Sequence, residues 1–219
     1  MFRHERDTGT GFGVSRIEAT DPAGGTESSL VPTGFTASNA YLDRYNSIYW
    51  DKQAMAQYPG DLTKGVIINW MMKDDVGGWH PTSRNIPHSI KRSLENRVWY
   101  RYQDQSSTSH HLLSWGRSPS VVGRVLDGGG SRITQATYNT KGYVTSLIDP
   151  VGRQTTYTYA SNGIDLLQVD QVRSGGTDAL QVLGSYNSQH LPATITDAAG
   201  EDTTLTYNVA GQPLTVTNA

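Results

Sequence analysis

The sequence predicts an all-β chain built from consecutive antiparallel β-hairpins. Three observations carry this prediction: a surplus of strand- and turn-forming residues, a repeated motif in the C-terminal hundred residues, and turn signals every 10 to 12 residues there. The 219 residues include 24 Thr, 23 Gly and 12 Tyr. Thr and Tyr favour strands, and Gly marks turns. At this length the chain is predicted to form one or two ordinary domains.

The repeated motif is a Tyr followed by Asn. It stands at 138–139, 159–160 (with Ala in place of Asn), 186–187 and 207–208, at steps of 21, 27 and 21 residues. A second series, Asp149, Asp170, Asp197 and Asn218, advances by the same steps. The longer step holds extra residues around 173–177. We interpret them as an insertion at a hairpin tip, which lengthens a loop and leaves the neighbouring strands unchanged.

A shorter pattern separates the strands: Asp or Asn begins it and Gly stands at its fourth position. This pattern is typical of a type I turn whose final Gly adopts a positive φ. Runs of six to eight residues with period-two alternation lie between the turns, which is the pattern of β-hairpins. The turns with this pattern are 127–130, 139–142, 149–152, 197–200 and 208–211.

One face of each C-terminal strand is predicted to be apolar. Tyr157 aligns with Leu205 on this face, while Thr156 aligns with Thr204 on the opposite face. A slip of one residue in the pairing would exchange the two faces, so this alignment fixes the register. A ribbon with one apolar face must curl, close or be covered by a second layer.

The N-terminal part is less regular, so we divide the chain into irregular, Trp-rich units at 1–118 and regular hairpins at 119–219. All five tryptophans fall between residues 50 and 115. A divergent turn is predicted at 21–24 and a loop at 26–40. Strands are predicted at 47–50, 64–72, 97–103 and 111–115. Short helices are predicted at 51–57 and 88–95.

Composition argues against several classes of function. The formal net charge of −2 and the sparse charge argue against a nucleic-acid partner. No cysteine is present, which excludes disulfides and thiolate metal sites. The histidines lack zinc-site spacing, and the carboxylate pairs at 74–75 and 201–202 stand beside glycines in predicted turns. The longest apolar stretches, such as 65–72, are too short for a membrane helix, and the N-terminus lacks the apolar region of a signal peptide. We therefore predict no enzyme activity, no metal and no cofactor.

The Tyr-Asn pair, the Gly three residues after the Asn and the Asp-Pro-x-Gly turn ten residues later resemble the YD repeat of the RHS (rearrangement hotspot) family. The resemblance is strong from about 126 to 219 and weaker at 16–24 and 94–103. The residues that carry it, taken as repeat-motif structural residues, are Tyr138, Asn139, Gly142, Asp149, Pro150, Gly152, Tyr159, Gly163, Tyr186, Asn187, Asp197, Gly200, Tyr207, Asn208 and Gly211. The third unit departs from the pattern, with Ser188 and His190 near the expected turn Gly.

The resemblance implies a curved ribbon of hairpins that is part of a spiral shell. In bacterial proteins of this family, the shell encapsulates or delivers a C-terminal toxin domain. We expect this chain to be a piece of such a shell, in a full-length protein that is secreted or lies at the cell surface. We also expect the isolated piece to self-associate, through end-to-end strand pairing or stacked apolar faces.

An alternative hypothesis is a cell-surface module that binds carbohydrate through exposed aromatic rings. The candidate sugar-stacking residues are Trp50, Trp70, Trp79, Trp99 and Trp115.

Overall fold

The computed structural model describes residues 2–5, 31–35, 46–75, 78–81, 86–103, 105 and 118–218. This part of the chain is nearly all β-structure and antiparallel, which confirms the predicted fold class. Its helical residues are α1 (Lys52–Gln57) and one 3-10 turn (Leu62–Lys64). Within the same residues, no helix has the length and apolar character needed to cross a membrane.

The chain divides into two compact units, Met1–Ile133 and Thr134–Ala219. The sequence had suggested a division after residue 118. The difference arises because the strand Pro119–Val125 pairs with the strand Val98–Tyr102, and therefore belongs with the first unit.

The strands of the first unit form an antiparallel sheet in which sequence neighbours mostly pair. The exception is a separate hairpin of β4 with β5, which lies between β3 and β6 in the sequence. The strands are β1 (Phe2–Glu5), β2 (Asn46–Tyr49), β3 (Val66–Trp70), β4 (Met72–Asp75), β5 (Gly78–Pro81), β6 (Pro87–Lys91), β7 (Val98–Tyr102) and β8 (Pro119–Val125).

Most predicted elements of the first unit fall where strands are found, but the helix predicted at 88–95 is wrong. Residues 87–91 form β6, in which Ile90 lies opposite Ile68 of β3 and Val98 of β7. Pairing on both sides outweighs a local helical pattern. The predicted helix at 51–57 is present as α1, and the Asp51 carboxylate accepts a hydrogen bond from the Ala54 amide at its start. The turn at 21–24 and the strand at 111–115 lie outside the described residues, as does most of the loop at 26–40.

The core of the first unit consists of three small clusters. One contains Ile48, Trp50 and Ile67, and a second contains Phe35 and Trp99. The third contains Met71, Ile86 and Tyr102. The described apolar residues therefore form several small clusters and not one large core. Such an arrangement is expected where short segments cover a sheet locally.

The second unit is a series of hairpins in which every strand pairs with the next one along the chain, as predicted. The division between the units falls within its first strand. The strands are β9 (Ser131–Tyr138), β10 (Val144–Ile148), β11 (Gln154–Tyr159), β12 (Leu166–Arg173), β13 (Gly176–Tyr186), β14 (Pro192–Asp197), β15 (Asp202–Tyr207) and β16 (Pro213–Asn218).

The turn chemistry of the second unit follows the predicted pattern. At 149–152, Asp149 Oδ1 accepts hydrogen bonds from the amides of Val151 and Arg153, and the Gly152 amide donates to the Asp149 carbonyl. Gly152 has φ +88°, which confirms the predicted left-handed glycine. The turns at 139–142, 197–200 and 208–211 repeat these bonds.

Two predicted details of the turns are wrong. At 127–130 the turn begins one residue earlier, because the Gly129 amide donates to the Leu126 carbonyl and Gly129 has φ +81°. The extra residues at 173–177 lengthen the strands and not a loop. Arg173 lies opposite Gly176, which leaves a loop of two residues, and Arg173 Nε donates to Asp178 Oδ1 at 2.7 Å.

The register places the aligned residues in equivalent positions. Tyr157 lies opposite Val169 and Leu205 lies opposite Val216, whereas Thr156 and Thr204 lie opposite Ser146 and Thr194. The predicted division into an apolar row and a row of mostly Thr and Ser is therefore confirmed at these positions, and the second row also contains Asp170 opposite Thr156. No apolar side chain of the second unit is fully buried among the described residues, so its apolar face is only half covered.

Candidate structural site: the tyrosine edge of the hairpins

Three repeat tyrosines of the second unit make the same hydrogen bond. The hydroxyl of Tyr159 donates to the carbonyl of Val144 at 3.0 Å, and that of Tyr207 donates to the carbonyl of Pro192 at 2.8 Å. Tyr186 donates to the carbonyl of Leu166. In each case the tyrosine ends one strand of a hairpin and the acceptor begins the other strand.

We call this bond the tyrosine clamp. It closes the open end of a hairpin, opposite the tight turn that joins its two strands. The side chain reaches from the end of one strand to the start of the other, where its hydroxyl donates to a carbonyl group. A buried or half-buried carbonyl without a partner would destabilise the fold, so the clamp both joins the strands and removes that cost.

Partial burial raises the pKa of Tyr138, Tyr159 and Tyr186 above the ordinary value. For Tyr186 the Asp165 carboxylate adds to the effect, because a nearby negative charge disfavours a phenolate. Two of the three clamp tyrosines, Tyr159 and Tyr186, therefore favour the protonated form and act as hydrogen-bond donors.

The same edge of the hairpins carries the turns 139–142, 160–163, 187–190 and 208–211, and we call these four turns the turn column. Side-chain hydrogen bonds join the first turn to the second and the third to the fourth, and the third turn also contacts Asp165, which follows the second turn. Asn139 Nδ2 donates to the Gly163 carbonyl at 2.9 Å, and Gln189 Nε2 donates to the Val209 carbonyl at 2.9 Å. His190 Nδ1 lies 2.8 Å from Asp165 Oδ1 between the second and third turns.

The bond between His190 and Asp165 is the feature of this site that sequence reasoning missed. The Asp165 side chain is 11% exposed, and its Oδ2 accepts a hydrogen bond from Asn162 Nδ2 at 2.7 Å. His190 occupies the glycine position of its turn with φ +61°, a strained conformation for a residue with a side chain. The sequence shows that His190 departs from the glycine pattern, but a partner 25 residues away leaves no local signal.

At the opposite edge of the second unit, the described turns at 149–152 and 197–200 are self-contained. Asp149 Oδ2 accepts from Arg153 Nε at 2.7 Å, and Asp197 Oδ1 accepts from the amides of Ala199 and Glu201. Desolvation opposes ionisation of Asp149, but hydrogen bonds from Arg153 and Val151 hold the pKa of its carboxyl below the ordinary value. Within the second unit, the described bonds therefore join hairpins along one edge and close single turns along the other.

A tyrosine clamp is also present in the first unit. The hydroxyl of Tyr102, the last residue of β7, donates to the carbonyl of Pro87, the first residue of β6, at 2.8 Å. Tyr102 is buried, and desolvation raises the pKa of its hydroxyl. The repeat therefore extends in structure to 87–102, a stretch that includes most of the weaker sequence resemblance at 94–103.

The candidate sugar-stacking tryptophans do not form an exposed set. Trp50 and Trp99 are 3% and 0% exposed, so neither presents a ring face to a ligand. Indole groups also bind the chain itself, since Trp50 Nε1 donates to the Asp61 carbonyl and Trp70 Nε1 donates to Ser47 Oγ, both at 2.7 Å. The side chain of Trp79 and all of Trp115 lie outside the described residues.

A buried polar cluster surrounds Trp99, and sequence reasoning did not find it. Arg97 is fully buried, and its Nη1 donates to Asn69 Oδ1 at 2.7 Å and to Ser89 Oγ at 3.0 Å. Its guanidinium lies 5.7 Å from the centre of the Trp99 ring, and His88 meets that ring edge-on at 5.6 Å. These groups hold the interior of the first unit together. Among the described residues, no three His, Asp or Glu side chains lie close enough to share a metal ion.

Comparison with known proteins identifies the repeat. Residues 186–219 match the family model for the RHS repeat. This stretch contains the clamp residues Tyr186 and Tyr207 and two turns of the turn column, and it confirms the resemblance noted in the sequence. A search of curated proteins gives no significant match.

Solved structures similar to the chain include the Photorhabdus luminescens Tc holotoxin pore with a mutation in TccC3, at 10% identity and a TM-score of 0.43. A second is TcdB2-TccC3 without its hypervariable C-terminal region, at 10% identity and a TM-score of 0.44. Both alignments cover 72% of this chain and 9% of the other chain. A third, TcdB2-TccC3-TEV, has 10% identity and a TM-score of 0.26, with coverage of 81% and 13%. The chain thus spans about a tenth of the length of the first two.

Proposed function

We propose, from the premise that this chain carries an RHS repeat, that it is a structural segment of a β-shell that encapsulates or delivers a toxin domain. The observation that carries the proposal is the use of the repeat's polar side chains. The clamp hydroxyls, the turn carboxylates and the turn-column amides all bind the chain's own backbone or neighbouring turns. Side chains used in this way stabilise the sheet itself, which is what the wall of a shell requires.

The proposal includes a non-enzymatic role. Catalysis requires side chains that are held near a reacting group and remain available to it. The repeat residues instead form their described hydrogen bonds with strand ends and turns. We place the full-length protein outside the bacterial cell or at its surface, since a shell that delivers a toxin acts there.

The half-covered apolar face supports the proposed enclosure. Rows such as Tyr157 with Val169 and Leu205 with Val216 lie on one side of the sheet, and hydroxyl-bearing rows lie on the other. A single-layered wall with one apolar face suits a compartment whose interior differs from its exterior. We propose that the apolar face is the inner one and that the enclosed partner lies against it.

Protease protection in the full-length protein tests this proposal. We expect a domain joined to the wall to resist digestion, and the double variant Tyr159→Phe with Tyr207→Phe to make it sensitive by loosening two clamps. The matched control is Tyr143→Phe, because the ring of the exposed Tyr143 contacts that of Tyr159 at a tilted angle, and its hydroxyl has no part in a described clamp. Equal digestion of the joined domain in the wild type and the double variant would contradict encapsulation.

We do not extend the proposal to carbohydrate binding, since Trp50 and Trp99 are packed in the core. Acrylamide quenching of Trp fluorescence separates the two hypotheses. If the chain is a structural wall, most indole rings should be inaccessible to acrylamide until the chain is unfolded. If the rings form a sugar-stacking surface, acrylamide should quench their fluorescence in the folded state. Added oligosaccharides should also leave the signal unchanged.

A further inference from the structure

The hairpin formed by β12 and β13 extends beyond the strands on either side of it. β11 pairs with β12 as far as Gln171, and β14 pairs with β13 only from Gln181 onward. Residues 172–177, which form the end of the hairpin, therefore have no neighbouring strand in the described part of the chain. We call these residues the arm. They include the extra residues at 173–177 that distinguish this unit of the repeat.

The neighbouring hairpins of the second unit have no such extension. Ile148, in the last pair of the β10–β11 hairpin, pairs with β9 as well as with β11. Thr196, in the last pair of the β14–β15 hairpin, pairs with β13 as well as with β15. A third strand therefore supports each of these hairpins up to its turn, and the arm lacks this support.

The arm is exposed and is held by few interactions. Residues 173–176 are all exposed, and a Cβ built at Gly175 or Gly176 meets no atom within 4 Å. Arg173 Nε donates to Asp178 Oδ1 at 2.7 Å, and the two side chains are 57% and 55% exposed. Exposed ion pairs of this kind contribute little to stability. Local opening is least costly where few interactions are lost, so the arm should open more readily than the rest of the sheet.

We propose that the peptide bond between Arg173 and Ser174 is a cleavage site for an arginine-specific protease, whose specificity pocket binds the guanidinium through a carboxylate. Hydrolysis adds one water molecule across the C–N bond, which leaves a carboxylate on Arg173 and an amino group on Ser174. Exposed loop tips with small or polar residues are preferred sites of such cleavage. Proteolysis of a folded chain acts on its transiently opened state, so easy opening of the arm makes this bond susceptible. This inference does not depend on the proposed toxin shell.

The two products of this cleavage should stay together. The pairing of β12 with β13 below the arm joins residues on opposite sides of the cut. The clamp of Tyr186 on the Leu166 carbonyl and the bond between His190 and Asp165 also join the two sides. Cleavage therefore yields a chain of two segments that remain associated until the protein is unfolded.

Limited digestion of the whole chain with trypsin, followed by mass spectrometry, gives the first test. The matched control is Arg153, which lies in a turn that a third strand supports and which has the more exposed side chain, at 73% against 57% for Arg173. We expect cleavage after Arg173 to be at least about tenfold faster than cleavage after Arg153, because the rate follows the population of the opened state. Equal rates, or faster cleavage after Arg153, overturn the proposal.

A disulfide across the arm tests whether the arm has to open. Val172 lies opposite Thr177, and the chain has no cysteine of its own. Opposite residues in antiparallel strands bring their Cβ atoms close to disulfide range, so the double variant Val172→Cys with Thr177→Cys should close under mild oxidation. We expect the oxidised form to be cut after Arg173 about tenfold more slowly than the reduced form of the same variant. Equal rates in the two forms overturn the proposed opening of the arm.

Size-exclusion chromatography of the cleaved chain tests the association of the products. We expect the segments on either side of the cut to elute together in native buffer and to separate in denaturant. Separate elution in native buffer overturns the inference that pairing below the arm holds them.

Discussion

At the scale of single residues, the repeat depends on backbone conformations that one residue type adopts at low cost. Gly152 has φ +88°, and a Cβ built there meets no atom within 4 Å. Steric crowding therefore does not explain the glycine, and conformational strain does.

Replacing Gly152 by Ala should destabilise the chain by about 1 kcal/mol, because a residue with a Cβ is strained in the left-handed region. The midpoint of urea denaturation measures the effect. Gly128→Ala is the matched control, since Gly128 also has open space around it but does not have a positive φ. Equal midpoints for the two variants would argue against strain as the reason for the glycine.

The clamp tyrosines give a residue-scale prediction about pH. Partial burial raises the pKa of Tyr159 and Tyr186 in the folded chain above the ordinary value for tyrosine, which is about 10. The neutral phenol is therefore favoured by folding, and its stabilisation is present below pH 10 and is lost as the pH rises through the higher folded pKa. Denaturation midpoints should fall above about pH 10. In the variant Tyr159→Phe with Tyr186→Phe that fall should be smaller, and an unchanged profile would contradict the assignment.

At the scale of the element, a hairpin of the second unit is closed by a turn at one end and a tyrosine clamp at the other. Tyr207→Phe removes the hydroxyl and leaves the Pro192 carbonyl without this donor. The loss of one such bond should lower the free energy of unfolding by about 1 kcal/mol. Tyr143→Phe is the control and should lie within the error of the wild type. An equally small change for Tyr207→Phe would show that water replaces the clamp.

The same scale explains what could be predicted from the sequence. Turns such as 149–152 were predictable because their hydrogen bonds join residues at most four positions apart. The register was predictable because alternation fixes the face of each strand. The prediction of a helix at 88–95 was wrong because β6 forms through its pairing with β3 and β7. The local sequence pattern carries no information about those partners.

The candidate site was only partly predictable for a related reason. The sequence identified Tyr159, Tyr186 and Tyr207 as repeat residues, but not the strand-end carbonyls that they bind. Those acceptors lie 15 or 20 residues away and are backbone groups, so residue type gives no signal for them. The Arg97 cluster was missed because nothing in the sequence distinguishes Asn69 and Ser89 from other strand residues. Strand pairing places both side chains beside the guanidinium.

At the scale of the whole molecule, the two units differ in how they are stabilised. The buried apolar side chains described in the structure, Trp50 and Trp99 among them, all belong to the first unit. The second unit depends on strand pairing, turns and clamps, with an apolar face that is half covered. Burial of apolar surface is the main favourable contribution to folding, so the second unit should have the lower stability.

This difference predicts two unfolding transitions that different probes separate. All five tryptophans lie between residues 50 and 115, so Trp fluorescence reports on the first unit. Far-UV circular dichroism reports on the strands of both units. In a urea titration we expect part of the dichroism signal to be lost before the fluorescence changes, because the second unit unfolds first. Tyr207→Phe should move only this early transition to lower urea. A single transition that coincides for both probes, and shifts as one in the variant, would contradict the separate stability of the two units.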